Sequence, residues 1–325
     1  MALQTTGAIK LSHVNVELTL ASNTLISIGG TESRLLSGIS SGAASMSNFY
    51  GRSYIFYGTI STNQKELNLA TWAAANGWTG EFPAVITINA GVYIWSDNTA
   101  VAALTTGVFP RGLTIINNGY IMGRGGNGGL GNSGPASSGF EGGPAISLGS
   151  SVTLSMAGTT SYIGGGGGGG GGNAWGGGGG GAGGGPGGSS FYSGTQTGGA
   201  GGSVGAAGGD GGARWSEYNE SGQGGTCGGG GGTGRDLKGT DNCTAGGGGG
   251  RIFPGAAVSS PGGDGGGPGD SGVAGTGRGG GGGGGWGAAG GSASYAGGAA
   301  GKAIDLNGYT ATLSGGTTRI YGAVS

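Results

Sequence analysis

The chain has 325 residues, of which 97 are glycine, and it carries 8% charged residues with a net charge of −1. The glycines follow no strict Gly-X-Y period and only 8 prolines accompany them, which excludes a collagen triple helix. The near-neutral balance disfavours a broad basic face for nucleic acid. No run of about 20 apolar residues provides a membrane span, and MALQTTGAIKLSHVN lacks the basic start and apolar core of a signal peptide.

In chain order, residues 8–28 come first. Ile9, Leu11, Val14, Val16, Leu18 and Leu20 partly alternate there, which reads as short strands. Thr62-Asn63 is placed to cap a helix through Leu67, Leu69, Ala70, Trp72 and Ala73, running to about Ala75, with Asn76-Gly77 as its stop. Strand patterns follow at Val85–Ile88, Gly91–Trp95 and Leu113–Ile116, the last leading into NNGYIMG. An internal repeat then appears. Residues 143–164 (GPAISLGSSVTLSMAGTTSYIG) and 301–322 (GKAIDLNGYTATLSGGTTRIYG) align without a gap at an offset of 158, with eight identities in 22 positions. A repeat signals a recurring structural unit. The expectation is a pair of matching β segments at one end of the glycine-rich stretch, the chain leaving from one and returning to the other.

Between these copies the composition changes. Residues 123–302 hold 80 of the 97 glycines. Residues 164–302 contain only seven Leu, Ile, Val or Phe side chains, too few for a conventional core: Phe191, Val204, Leu237, Ile252, Phe253, Val258 and Val273. The longest runs are Gly164–Gly172, Gly176–Gly181, Gly228–Gly232, Gly246–Gly250 and Gly279–Gly285. Ordering each glycine costs about 0.5–1 kcal/mol more than ordering alanine, so an ordered run needs compensation. A polyproline-II-type helix offers it. Such a helix has three residues per turn and no internal hydrogen bonds, so every N–H and C=O faces outward. Without β-carbons, several such helices can pack side by side and pair all those groups. Sheet is the competing geometry, but glycine weakens strands.

Segments of other composition interrupt the runs: 173–175, 189–197, 214–223, 235–243, 251–261 and 286–295. The candidate receptor-binding residues lie there: Trp175, Phe191, Tyr192, Arg214, Trp215, Glu217, Tyr218, Arg235, Asp236, Lys238, Phe253, Trp286 and Tyr295. Loops on a rigid scaffold concentrate binding residues, and aromatic and arginine side chains dominate hot spots. The competing reading is that these aromatics only cover the ends or sides of the bundle. Cys227 and Cys243 either form a disulfide closing a loop of about 15 residues, contributing about 3 kcal/mol, or stay two thiols. They lack partner ligands at zinc-site spacing.

Catalysis finds little support, and no cofactor or metal is expected. The sole histidine, His13, reads as structural, and no GxSxG with triad partners is visible. Glu217 with Glu220, or Asp264 with Asp270, only formally supplies a carboxylate pair for glycoside cleavage. The RGG matches in Gly123–Gly129 and Gly277–Gly282 are a weak nucleic-acid signal without net positive charge.

The N-terminal LQTTGAIKLSHVNVEL and Arg34–Ser53 (RLLSGISSGAASMSNFYGRS) resemble a leader shared by many tailed-phage virion proteins. Trp78–Gly129 resembles glycine-rich phage tail proteins. Residues 123–302 resemble, in organisation, the receptor-recognising adhesins at the tips of T-even-like long tail fibres. That resemblance implies a packed polyglycine-II bundle whose recognition loops fall on the interrupting segments. It also implies attachment to other phage tail proteins through the N-terminal region. The expected fold is mainly β and irregular. Residues 1–60 form a virion-attachment region, 61–163 a β-rich shoulder with one short helix, 164–302 the polyglycine-II bundle and 303–325 a closing β segment. The expected partner is a bacterial outer-membrane protein or a surface glycan, bound noncovalently, with no role for nucleic acid; monomer and trimer both stay open. A structural tail-tip component with inert loops and a surface-polysaccharide depolymerase are the alternatives. An ice-binding protein also uses glycine helices but needs a flat regular face, against which the irregular aromatic interruptions argue.

Overall fold

Short strands with alternating burial recur along the chain and stack in parallel, each on its counterpart one turn earlier. The structure, a computed structural model, describes residues 2–131, 137–173, 176–189, 200–201, 265–275 and 279–325. Three sheets result. The first runs β1 (Phe56–Ile60), β4 (Ala84–Ile88), β7 (Leu113–Asn117), β10 (Val152–Met156) and β13 (Ala311–Gly315). The second contains β2 (Gln64–Lys65), β5 (Tyr93–Trp95), β8 (Tyr120–Met122), β11 (Tyr162–Gly164) and β14 (Ile320–Tyr321). The third contains β3 (Leu67–Asn68), β6 (Leu104–Thr105), β9 (Ile146–Ser147) and β12 (Ile304–Asp305). Every pairing among these strands is parallel, and each turn visits the three sheets in the same order, so the chain winds a three-sided solenoid.

Inward positions form ladders. Ile86, Ile115, Leu154 and Leu313 align in the first sheet, Ile94, Ile121, Ile163 and Ile320 in the second, and Leu67, Leu104, Ile146 and Ile304 in the third. Most of these side chains are buried in one continuous core. Each fully buried one contributes about 1.5–3 kcal/mol. At a corner, the buried Asn117 accepts the Gly119 N–H at 3.0 Å and donates to the Tyr162 carbonyl at 3.4 Å, which satisfies a polar group inside the stack.

The repeat is two successive turns. Ile146 pairs with Ile304 at the offset of 158 seen in the sequence, but Val152 pairs with Ala311 and Ile163 with Ile320. The loop before β13 is one residue longer than its counterpart, so the structural register also brings Thr153, Leu154 and Ser155 onto Thr312, Leu313 and Ser314.

Two sequence expectations need correction. Residues 11–17 form helix α1 (Leu11–Glu17), not strand, because Val14 and Leu18 face one small core with Leu3, Leu36 and Phe49. Helix α2 (Thr31–Ser37) packs on the same core through Leu36. The later helix, α3 (Leu69–Ala75), is capped by Asn68, whose side chain accepts the Thr71 N–H at 3.0 Å, and not by Thr62-Asn63. Asn63 instead accepts the Tyr93 N–H at 2.9 Å within the solenoid. The N-terminal region is tied to the solenoid by Glu32, which pairs with Arg111 at 3.1 Å and accepts the Tyr54 hydroxyl at 2.8 Å.

Two excursions leave the solenoid at one corner, between the second and third sheets: one between β8 and β9, the other between β11 and β12. Both are glycine-rich, and Gly164–Gly172 runs through their middle. Its N–H groups at Gly166, Gly169 and Gly172 donate to the carbonyls of Gly143, Phe140 and Ser137 at 2.8, 2.9 and 3.0 Å. Those of Gly167 and Gly170 donate to Ala182 and Gly179, and those of Gly168 and Gly171 to Ala288 and Gly291. Its carbonyls accept in the same rhythm: Gly164, Gly167 and Gly170 from Gly123, Gly126 and Gly129; Gly168 and Gly171 from Gly284 and Gly281; Gly166, Gly169 and Gly172 from Gly301, Gly298 and Tyr295. Each neighbour is met at every third residue. A β-carbon on Gly169 would overlap the Asn127 carbonyl, so the packing distance requires glycine there.

Candidate functional site

The hydrogen-bond register gives the glycine-rich excursions two ends. Gly123, Gly143, Gly164, Ala182 and Gly301 lie at the solenoid end, and the far end is reached at Gly131, Ser137, Gly172 and Tyr295. At that far end Gly131 donates to the Ser189 carbonyl at 2.8 Å, Asn173 to Gly176 at 2.9 Å and Gly275 to Ser292 at 2.8 Å. Gly131, Ser137, Gly172, Asn173, Gly176, Ser189, Gly275 and Ser292–Tyr295 therefore lie toward one face. Its described side chains include Leu130 and Tyr295, which are 47% and 40% exposed, with Ser189, Ser292 and Ser294 exposed beside them.

Most sequence-predicted receptor residues lie outside the described residues: Trp175, Phe191, Tyr192, Arg214, Trp215, Glu217, Tyr218, Arg235, Asp236, Lys238 and Phe253, as do Cys227 and Cys243. Tyr295 sits on the far face, its N–H donating to Gly172 at 3.2 Å. Trp286 is a correction. It is 1% exposed at the solenoid end, where its ring meets Tyr162 edge-on at 5.5 Å and tilts against Tyr321 at 6.4 Å. Gly164 makes room for it: a β-carbon there would come within 2.7 Å of the indole. Trp286 thus anchors the excursion and is not available to a partner.

That anchor rests on an outward ladder of the second sheet. Tyr93 stacks on Tyr120 at 4.7 Å, Tyr120 on Tyr162 at 5.7 Å and Tyr162 on Tyr321 at 5.8 Å. Met122 and Ala182 complete the cluster around Trp286. Burial pushes the Tyr321 hydroxyl's pKa up, favouring the neutral ring in this apolar seat. The sequence marked these tyrosines only as strand residues; their equal position in successive turns was the available signal. Leu130, Phe140 and Val273 are exposed apolar residues of the excursions that the sequence did not single out.

His13 accepts the Lys10 N–H at 3.4 Å at the start of α1. Asp270 is exposed at a turn, and its formal partner Asp264 lies outside the described residues. Among the described residues no group of three or more His, Cys, Asp or Glu side chains converges to hold a metal. No helix among them is long and apolar enough to cross a membrane.

A family model described as phage tail fibre adhesin Gp38 matches residues 56–228. Among solved structures, the crystal structure of the gp37-gp38 adhesin tip complex of the bacteriophage S16 long tail fiber matches with a TM-score of 0.51. The match has 20% sequence identity and covers 99% of this chain and 100% of that chain, so the likeness is one of fold. No curated protein matches significantly.

Proposed function

The chain belongs to the phage tail fibre adhesin Gp38 family, and we propose that it recognises its bacterial receptor through the segments that interrupt its glycine runs. It is a receptor-binding adhesin of the virion, located at the tail-fibre tip. The receptor is an outer-membrane protein or a surface glycan, held noncovalently by aromatic and charged side chains of the segments 189–197, 214–223, 235–243 and 251–261, with Trp175 and Tyr295.

The observation that supports this reading is that several described chain ends, at Gly131, Ser137, Asn173, Gly176, Ser189 and Gly275, lie with Tyr295 at the end opposite Trp286 and the tyrosine ladder. The platform beneath is a polyglycine-II bundle in this proposal. Support comes from the three-residue rhythm with which Gly164–Gly172 meets each neighbour, as expected of a helix with three residues per turn. Each bond contributes about 0.5–1.5 kcal/mol net, which offsets the cost of ordering glycine.

The N-terminal region docks on another tail protein. Two things support this: the related crystal structure is of a gp37-gp38 complex, and the region exposes Leu25, Val16, Leu11 and Leu20 at 99%, 61%, 42% and 40%.

The test is loop exchange. Replacing Arg214–Gln223 and Arg235–Cys243 with the corresponding segments of a relative of different host range is expected to change which cells the protein binds. Unchanged adsorption overturns the assignment of these segments. Residue-resolved amide exchange tests the platform: slow exchange through Gly164–Gly172 is expected, and peptide-like exchange overturns the bundle.

A further inference from the structure

A recess of about 220 Å³ lies where the second sheet meets the foot of the glycine-rich excursions. It is lined by Trp95, Ser96, Asp97, Met122, Arg124 and Gly183. Its size falls below the roughly 300–1,000 Å³ of sites for drug-sized ligands, so it suits one small ring. The half-buried Trp95 and the buried Met122, paired in register on neighbouring strands, supply an apolar side.

Polar groups of both kinds meet that side. Asp97 is an acceptor whose side chain is 56% exposed, and it pairs with Lys65, 45% exposed. The Arg124 carbonyl accepts the Gly143 N–H at 2.7 Å, but its side chain makes no hydrogen bond or ion pair with another described residue, so its fork of donors is uncommitted. The Asp97 carboxyl is held below its ordinary value, chiefly by the hydrogen bond from Lys65, with the Arg124 charge adding to the effect. It is therefore an ionised acceptor at neutral pH.

The walls are fixed before any ligand arrives. Gly123 donates to Gly164 at 2.9 Å, Gly125 to Gly183 at 3.1 Å and Ser96 to Met122 at 3.3 Å. Behind Asp97, Glu66 accepts the Ser96 hydroxyl at 3.0 Å while its own N–H donates to Trp95 at 2.8 Å. Glu66 holds a φ of 51°, left-handed for a residue with a side chain, a strain that persists only where the surroundings over-determine it. Such preorganisation lowers the entropy cost of binding.

We propose that this recess binds a single pyranose unit of a bacterial surface glycan, with Trp95 against the apolar face of the ring, Asp97 accepting from its hydroxyls and Arg124 donating to them. The charges select for it. An inorganic anion would face the Asp97 carboxylate, and a cation would face the Arg124 guanidinium. A neutral ring carrying donors and acceptors on its edge and C–H groups on its face satisfies every wall. The recess lies at the solenoid end of the excursions, opposite Tyr295 on the far face, so the proposal gives the adhesin a sugar contact on its flank.

The experiment is saturation-transfer NMR on the full chain with the methyl pyranosides of glucose, galactose, mannose and N-acetylglucosamine. At least one is expected to bind saturably, with affinity falling by about tenfold or more in Trp95→Ala and in Arg124→Gln. Arg124→Gln changes only a side chain without protein partners, so it decides the matter if Trp95→Ala fails to fold. Exchange of Arg214–Gln223 is expected to leave sugar binding unchanged, which separates this site from the proposed receptor segment. No saturable binding of any of the four sugars, or affinity unchanged in Arg124→Gln, overturns the proposal.

Discussion

In the solenoid, Ile94, Ile121 and Ile163 stack one above another and the main chain pairs along the sheets between them. In the glycine-rich excursions, Gly164–Gly172 is surrounded by other main chains and pairs with them in every direction. The solenoid draws its order from side-chain burial, with hydrogen bonds that run strand to strand. The excursions lack those side chains and compensate by bringing backbones closer than any β-carbon allows. The two regions therefore respond oppositely to the same mutation. Adding a methyl group fills or trims a core in one; in the other it pushes two carbonyl-bearing backbones apart.

The strongest way to break that contrast is Gly169→Val. Its branches would overlap the Asn127 carbonyl, and the expected loss is more than about 3 kcal/mol. Exchange protection should vanish throughout the excursions while Ile94 and Ile121 keep theirs. Equal protection of both regions in the variant would show that backbone proximity is not what holds the excursion.

Next come the two kinds of anchor. Ile121→Ala removes a buried rung and is expected to cost about 2–5 kcal/mol, read from denaturant unfolding of the solenoid. Trp286→Ala is expected to cost about 3–5 kcal/mol and to detach the excursion, whereas Tyr295→Ala should stay within about 0.5 kcal/mol of the parent. A harmless Trp286→Ala would return that residue to the list of receptor contacts.

A smaller effect tests the solenoid's own helix. Asn68→Ala removes the cap of α3 and is expected to cost about 1 kcal/mol, read as a lower melting temperature. The smallest concerns the N-terminal region. The Tyr54 hydroxyl, and then Arg111, hold the Glu32 carboxyl below its usual 4.5. A lowered folded-state value means the contribution is full above the unfolded value and is lost as pH falls through the folded one. The tie to the solenoid should therefore weaken as pH drops below about 4.5, and Glu32→Gln should flatten that dependence, measured by exchange at Tyr54.

The sequence disclosed these regions unequally. The strands β4, β5 and β7 were legible from the alternation at Val85–Ile88 and from the short strand-like runs Gly91–Trp95 and Leu113–Ile116, the last leading into NNGYIMG, where β8 lies. Their parallel winding was not, since alternation is the same whichever way a partner runs. The repeat announced two equivalent turns, but the extra residue before β13 hid part of it from a gapless alignment. Helix α1 escaped notice because Val14, Val16 and Leu18 also fit a strand, and only the small core they meet decides. Composition identified Trp286 and Tyr295 as the same kind of residue. Their opposite fates depend on which end of a glycine run each occupies, and a run of identical residues carries no mark of its polarity. The recess beside Trp95 drew on residues from separate turns, which no local pattern joins.

One feature of the winding has a genetic corollary. The chain departs from β11 at Gly164 and resumes at Ile304 in β12, having rejoined the same stack one turn on. A cassette of nearly 140 residues is thus spliced into a gap that the solenoid crosses with eight residues between β5 and β6. Lengthening, shortening or swapping that cassette leaves the reading frame of stacked isoleucines untouched. Recombination between relatives can therefore replace the greater part of the adhesive head in a single event, provided the incoming stretch keeps the glycine pairing with the excursion between β8 and β9.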